Sequence, residues 1–162
     1  KLIYPQVSEL ELSLEVNKEV DYKTTLESML KQFEKREIEN WRPANIYELK
    51  SVLSQVMLIP CLYFSVIHKN GIFKRESFKA VKSNFNENEW MPIKTATDIR
   101  NNWNYKSNAF QKLMLSSSNK IIRKIATRYL APKTPINIRQ EFDNKFYDNL
   151  MLLVKKIKKD II

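Results

Sequence analysis

Glycine is the residue that most constrains this chain, because only one glycine occurs in 162 residues. Phosphate-binding loops, dinucleotide-binding fingerprints and tight β-hairpins each need several positions where glycine alone fits the backbone. This count argues against Rossmann, P-loop and small all-β folds. We therefore predict an all-α fold, a helical bundle of about six or seven helices with a short extended segment at the N terminus.

The spacing of apolar residues supports helices over most of the chain. Residues 46–68 are apolar on most of their surface and predict a central helix with Asn45 as its N-cap and Glu48 as the capping-box partner. Pro60 is expected to kink that helix, because proline lacks an N–H and collides with the preceding turn. Apolar residues also recur every three or four positions over 138–161, which predicts a long amphipathic closing helix.

Three segments are predicted along the chain. Residues 1–20 alternate between apolar and polar side chains and are interpreted as a lead-in from a missing upstream domain. Because the chain begins with Lys1 and not with methionine, we expect it to be a fragment of a larger protein. Residues 21–115 are expected to form the helical bundle, and residues 116–162 a basic helical extension packed on it.

The positive charge is unevenly distributed. The net charge is +10, and residues 1–50 hold eight Lys and Arg against ten Asp and Glu, whereas residues 51–162 hold twenty against eight. The excess is strongest over 91–133, where nine basic residues accompany one acid. A field of this sign favours an anionic partner such as nucleic acid, nucleotide phosphates or an acidic protein face. The alternative is an AT-rich genome, which by itself inflates Lys, Asn and Ile.

Cysteine usage and hydropathy bear on location. Cys61 is the only cysteine, which excludes an internal disulfide and predicts a cytoplasmic location. The longest apolar stretch, residues 52–67, is interrupted by polar residues and Pro60, so we predict no membrane span, and no signal peptide opens the chain.

A complete catalytic centre is not apparent in the sequence. His68 is the only histidine, and no cysteine or carboxylate stands at metal-ligand spacing from it, so we predict no metal site. No arginine lies four to six residues before His68, as helical ribonucleases of the toxin type require. A Gly-Ser element followed by closely spaced aspartates, which nucleotidyltransferases use to hold two metal ions, is also lacking. We predict no catalytic residue in this chain and no activity by the chain alone.

One stretch carries a family resemblance. Residues 61–81 end an apolar helix, turn through Asn-Gly and open a new helix with Lys-Arg-Glu-Ser, and residues 89–93 (Glu-Trp-Met-Pro-Ile) follow. This arrangement resembles the C-terminal helical domain of aminoglycoside-type adenylyltransferases. There, a helix leads into Thr-Gly-Lys-x-x-Ser-Lys-x-x-Ala and later into Glu-x-Trp-x-Pro-Leu. Residues 2–5 (Leu-Ile-Tyr-Pro) resemble the stretch by which that family leaves its catalytic domain.

The resemblance implies a helical accessory domain of a nucleotidyltransferase-like protein that contacts substrate and nucleotide. It implies no cofactor in this segment, and ATP and Mg²⁺ only if the upstream catalytic domain exists. The family's lysine in its Ser-Lys element falls on Lys74, which implies contact with a nucleotide phosphate. Lys74 follows a glycine turn at a helix start, where a cation and backbone N–H groups can both face phosphate. The alternative is a solvated surface lysine.

The same resemblance implies a cleft wall. The family's tyrosine that reaches the nucleotide would fall near Arg100, with Trp103 and Tyr105 a turn further on. The chain departs from the family at Arg100, and we predict that these three residues line the cleft.

A second hypothesis rests on a basic helix in the closing third of the chain. One helix face is predicted to present four cations: Lys120, Arg123, Lys124 and Arg128. The opposite face is predicted to point toward a core: Ile121, Ile122, Ile125 and Tyr129. This pattern suits a non-catalytic nucleic-acid-binding module that uses the basic face around 91–133, with nearby aromatic rings stacking on bases. The alternatives are solvated lysines above a core, or a protein–protein adaptor.

Overall fold

A computed structural model describes residues 21–102, 108–129 and 131–161, and in these ranges the protein is all-α, as predicted. The helices are α1 Tyr22–Ile38, α2 Ile46–Val56, α3 Ile59–His68, α4 Lys74–Val81, α5 Glu87–Asn101, α6 Ala109–Leu115, α7 Lys120–Tyr129, α8 Ile136–Glu141 and α9 Asn144–Ile161. A 3₁₀ turn, Lys82–Asn84, directly follows α4. No strand occurs in the described ranges, where one isolated bridge joins Asn45 and Lys133. The predicted lead-in, residues 1–20, lies outside them.

The predicted central helix is two helices, α2 and α3. Asn45 caps α2 as predicted, because its side chain accepts hydrogen bonds from the backbone N–H groups of Tyr47 and Glu48, both at 3.0 Å. Helix α2 ends at Val56, and Pro60 stands in the first turn of α3. Proline is tolerated there because first-turn N–H groups have no partner within the helix. The expected kink is therefore a short interruption at Met57 and Leu58, whose backbone stays in the right-handed helical region.

The stretch Ile46–His68 is long and apolar enough to cross a membrane by length and composition alone. In the fold, 44% of its apolar window is buried. Its core-facing residues are Leu49, Val52, Leu53, Val56 and Ile59. The core helix of a soluble protein satisfies the same two criteria, so this stretch is weak support for a span.

Helix α9 completes the hydrophobic core by packing on α5, α1 and α3. Its buried apolar residues are Phe146, Leu150, Leu153, Val154, Ile157 and Ile161. Polar contacts fix its ends: the Asp143 carboxylate accepts from the Phe146 N–H at 2.9 Å, and Lys158 Nζ lies 2.6 Å from the Glu34 carboxylate on α1. The Tyr63 hydroxyl also donates to Asp160 at 2.8 Å. The closing helix predicted over 138–161 is therefore two helices in the structure, the short helix α8 and the long helix α9.

Helices α6 and α7 pack on each other as a hairpin. The Asn108 and Gln111 side chains form a capping box at the start of α6. On α7, Ala126 is buried, but Ile121 is 68% and Ile125 is 47% exposed, and Tyr129 is exposed as well. The prediction that these three residues face a core is wrong, because the core cluster is built from the other helices and leaves this apolar face in solvent.

Candidate anion-binding groove

The turn between α3 and α4 positions the start of α4. Helix α3 ends at His68, and Lys69 adopts a left-handed backbone conformation with φ of 51°. The Asn70 side chain then accepts a hydrogen bond from the Gly71 N–H at 2.9 Å. After extended Phe73, α4 begins at Lys74, the position that the sequence predicted for a phosphate-binding lysine at a helix start.

Lys74 lines a groove between α4 and α5 with a volume of about 640 Å³. Seven of the described residues line it: Met57, Lys74, Arg75, Phe78, Lys79, Thr97 and Asn101. Three of these seven are cations on α4, and none is a carboxylate. Thr97 and Asn101 come from the C-terminal half of α5 and offer neutral hydrogen-bonding groups. The groove therefore combines positive charge on one wall with polar side chains on the other, a composition that suits an anion.

The first turn of α4 adds a backbone contribution. Phe73 provides no side-chain cap for α4, whereas the Ser77 hydroxyl donates to the Lys74 carbonyl at 2.7 Å. Uncapped N–H groups and the helix dipole favour negative charge at this end. Glu76 also lies in this turn but is not among the groove-lining residues.

Cys61 lies close to the first turn of α4, and the charge of Lys74 affects the pKa of its thiol. Its thiol donates to the Ile72 carbonyl at 3.5 Å. Burial raises the pKa of the Cys61 thiol, and the positive charge of Lys74 partly opposes that rise. The pKa of the Cys61 thiol therefore depends on burial first and on the charge of Lys74 second.

Arg100 lies in the last turn of α5, directly before the groove-lining residue Asn101. The fold thus brings the helix end that carries Arg100 to the groove of Lys74, although Arg100 itself is not among the described residues that line it. Trp103 and Tyr105, the other residues of the predicted cleft wall, lie outside the described residues. The predicted grouping of all three remains a prediction.

The basic face predicted on α7 is at a separate place. Lys120, Arg123 and Lys124 are exposed there, and none of them lines the groove of Lys74. The side chain of Arg128 lies outside the described ones.

Sequence reasoning missed the four polar or charged residues that line the groove beside Lys74: Arg75, Lys79, Thr97 and Asn101. A signal for them exists in their spacing. Arg75 and Lys79 are four residues apart, as are Thr97 and Asn101, so each pair shares one face of its helix. The spacing does not predict that these two faces line one groove, because that depends on how α4 packs on α3 and how α5 packs on α2 and α9.

Metal-ligand groups and known relatives are the remaining points of comparison. Among the described residues, no group of three or more His, Cys, Asp or Glu side chains could hold a metal ion. His68 instead stacks on Phe64 with ring centroids 4.3 Å apart. The chain matches no family model, no curated protein and no solved structure.

Proposed function

We propose that this chain is the helical accessory part of a cytoplasmic nucleotidyltransferase-like protein, and that the groove between α4 and α5 receives nucleotide phosphates. One observation carries the proposal: Lys74, Arg75 and Lys79 line one groove of about 640 Å³, and no carboxylate is among the described residues that line it. The family resemblance assigns Lys74 the same role on different grounds. Catalysis, ATP and Mg²⁺ chemistry would belong to an upstream catalytic domain, and the chain alone turns over no nucleotide.

The lining suggests a division of roles. Lys74 and Lys79 supply compact charges to phosphate oxygens, and the planar Arg75 guanidinium can donate two parallel hydrogen bonds to one phosphate. Thr97 and Asn101 can hydrogen-bond the sugar or a neutral edge of the ligand. Each charged hydrogen bond of this kind contributes about 1.5–3 kcal/mol when formed in a partly desolvated site.

The proposal is tested by titrating ATP and tripolyphosphate into the chain by calorimetry. Lys74→Ala is expected to weaken binding roughly tenfold or more, because it removes one charged contact. Lys31→Ala is the matched control, since Lys31 is exposed on α1 and its loss changes the net charge equally. Absence of binding by both ligands, or equal loss in the two variants, would contradict the proposal.

Cys61 gives a second, independent measurement. A phosphate bound at Lys74 would neutralise the charge that lowers the pKa of the thiol, so saturating ATP should slow alkylation of Cys61 by iodoacetamide. Lys74→Ala should slow alkylation without ATP and remove the effect of ATP. An alkylation rate that is the same in all four conditions would mean that the ligand does not reach this end of the groove.

A second candidate function is nucleic-acid binding through α7 without catalysis. The observation that favours it is that Lys120, Arg123 and Lys124 are exposed in a stretch, 108–129, with no Asp or Glu. Three to four phosphate contacts should reduce affinity for duplex DNA roughly 40- to 150-fold between about 50 and about 200 mM salt, because counterions are released on binding. Lys124→Glu should weaken binding to every RNA or DNA sequence alike, and a flat salt response would eliminate this candidate.

A further inference from the structure

A second groove lies at the other end of α5, between its first turns, the 3₁₀ turn and α9, and its volume is about 390 Å³. Trp90 and Lys94 reach it from α5, and Lys145 and Asn149 reach it from α9. Each pair is four residues apart, so each pair occupies a single helix face. The packing of α9 on α5 brings the two faces together. The volume is within the range of roughly 300–1,000 Å³ that is usual for small-molecule sites.

Asn149 is the unusual residue of this groove. It is 6% exposed and belongs to the buried face of α9, among the apolar residues Phe146, Leu150 and Leu153. Among the residues that the structure describes, its Nδ2 group has no hydrogen-bond partner. A buried amide donor without a partner destabilises the fold, and native proteins pair nearly all such groups. An acceptor atom supplied by a ligand in the groove would satisfy this donor.

The electrostatics of the groove favour a negative ligand. Three lysines line it, Lys82, Lys94 and Lys145, against one acid, Glu87. All three lysines are exposed at the rim, whereas Asn149 is buried. A ligand that reached Asn149 would therefore keep its anionic group near the lysines, where the charges stay partly solvated.

Trp90 supplies a rigid aromatic wall. Its ring stacks on Phe85 with centroids 5.8 Å apart and an interplanar angle of 30°, and it contacts Phe78 edge-on at 6.3 Å. Phe85 lines this groove, and Phe78 lines the groove of Lys74. The aromatic cluster therefore separates the two grooves, and contacts with Phe85 and Phe78 hold the half-buried ring of Trp90 in place.

We propose that this groove binds a small planar anion. The ring of the ligand lies against Trp90, one of its acceptor atoms takes the hydrogen bond of Asn149 Nδ2, and its phosphate or carboxylate pairs with Lys94 and Lys145. Nucleoside monophosphates and aromatic carboxylates share this chemistry. The site does not depend on the function proposed for the groove of Lys74.

The test uses the full chain, with AMP and benzoate as probes, and follows the Asn149 side-chain amide and the Trp90 indole by two-dimensional NMR. At least one probe should shift both signals at millimolar concentration or below, and which probe binds more tightly identifies the source of the anion. Adenosine lacks the anionic group and inorganic phosphate lacks the aromatic ring, so each should bind at least tenfold more weakly than AMP. No shift with either probe would overturn the proposal, as would equally tight binding of adenosine.

Two substitutions of Asn149 distinguish a ligand-binding role of this residue from a purely structural one. Asn149→Leu should abolish binding and raise the Tm of the free protein by about 2–4 °C, because it removes a buried unpaired donor. Asn149→Asp keeps the size of the side chain and should abolish binding by repelling the anion. Lys74→Ala should leave AMP or benzoate binding here unchanged, so this site and the groove of Lys74 can fail separately. A lower Tm for Asn149→Leu, or wild-type affinity in both Asn149 variants, would overturn the assignment.

Discussion

Helices α7 and α9 are both amphipathic and basic, yet the fold uses them in opposite ways. Helix α9 turns its apolar face into the core, where Phe146, Leu150, Leu153 and Ile157 are fully buried. Helix α7 packs on α6 and leaves Ile121 and Ile125 in solvent. The same sequence pattern predicts both helices: apolar residues recur every three or four positions.

This difference shows what an amphipathic pattern establishes and what it leaves open. The pattern establishes that one face of a helix is suited to burial, but it does not say which surface covers that face. For α9, the covering surface is formed by α5, α1 and α3. For α7, the described residues bury Ala126 and half-bury Ile122, whereas Ile121 and Ile125 stay exposed. The three predictions below test this comparison, beginning with the largest expected effect.

The first prediction compares one apolar residue from each helix. Phe146→Ala should reduce the free energy of unfolding by about 3–5 kcal/mol, because it opens a cavity beside Phe142 and Tyr147. Ile121→Ala should change it by less than about 0.5 kcal/mol, since that side chain is mostly exposed. Urea denaturation of both variants measures the two values. If Ile121→Ala costs more than about 1 kcal/mol, then the apolar face of α7 is covered in solution and the comparison is wrong.

The second prediction concerns the polar contact between α3 and α9. Burial and the hydrogen bond to Asp160 raise the pKa of Tyr63 from 10.0 to about 12. Because the folded pKa is the higher one, this stabilisation is complete below pH 10 and is lost as the pH rises toward 12. Tyr63→Phe should reduce the free energy of unfolding by about 1–2 kcal/mol near neutral pH and make the alkaline loss less steep.

Thermal unfolding at several pH values between neutrality and pH 12 measures this effect. Tyr147, whose pKa burial also raises to about 12, should preserve part of the alkaline loss in the Tyr63→Phe variant. An alkaline profile identical to that of the wild type would show that the pKa of Tyr63 is the same in the folded and the unfolded protein.

The third and smallest prediction compares a lysine from each helix. Lys158→Ala breaks the ion pair with Glu34 that joins α9 to α1, and should cost about 0.5–1 kcal/mol at low salt and less at about 1 M salt. Lys124→Ala removes an exposed cation of α7 and should leave stability unchanged within error. Chemical denaturation at the two salt concentrations resolves both effects. If the two variants lose the same stability, then Lys124 makes a contact as specific as the ion pair of Lys158, and the comparison of the two helices is wrong.

Residues at helix ends were the most predictable part of the molecule. Asn45 as an N-cap, a disruption at Pro60 and a helix start at Lys74 all depend on neighbours within four residues. The groove of Lys74 was only half predictable for the same reason. Its α4 wall is local in sequence, whereas Thr97 and Asn101 join it through packing across more than twenty residues of chain.

The sequence by itself determined the helical class, because a chain with one glycine and apolar residues every three or four positions satisfies its backbone groups most readily in helices. Only the tertiary structure decided which apolar faces are covered, and only it placed Asn149 beside Trp90 and Lys94. The physical reason is that hydrogen bonds within a helix are local, whereas burial is decided by surfaces from distant parts of the chain.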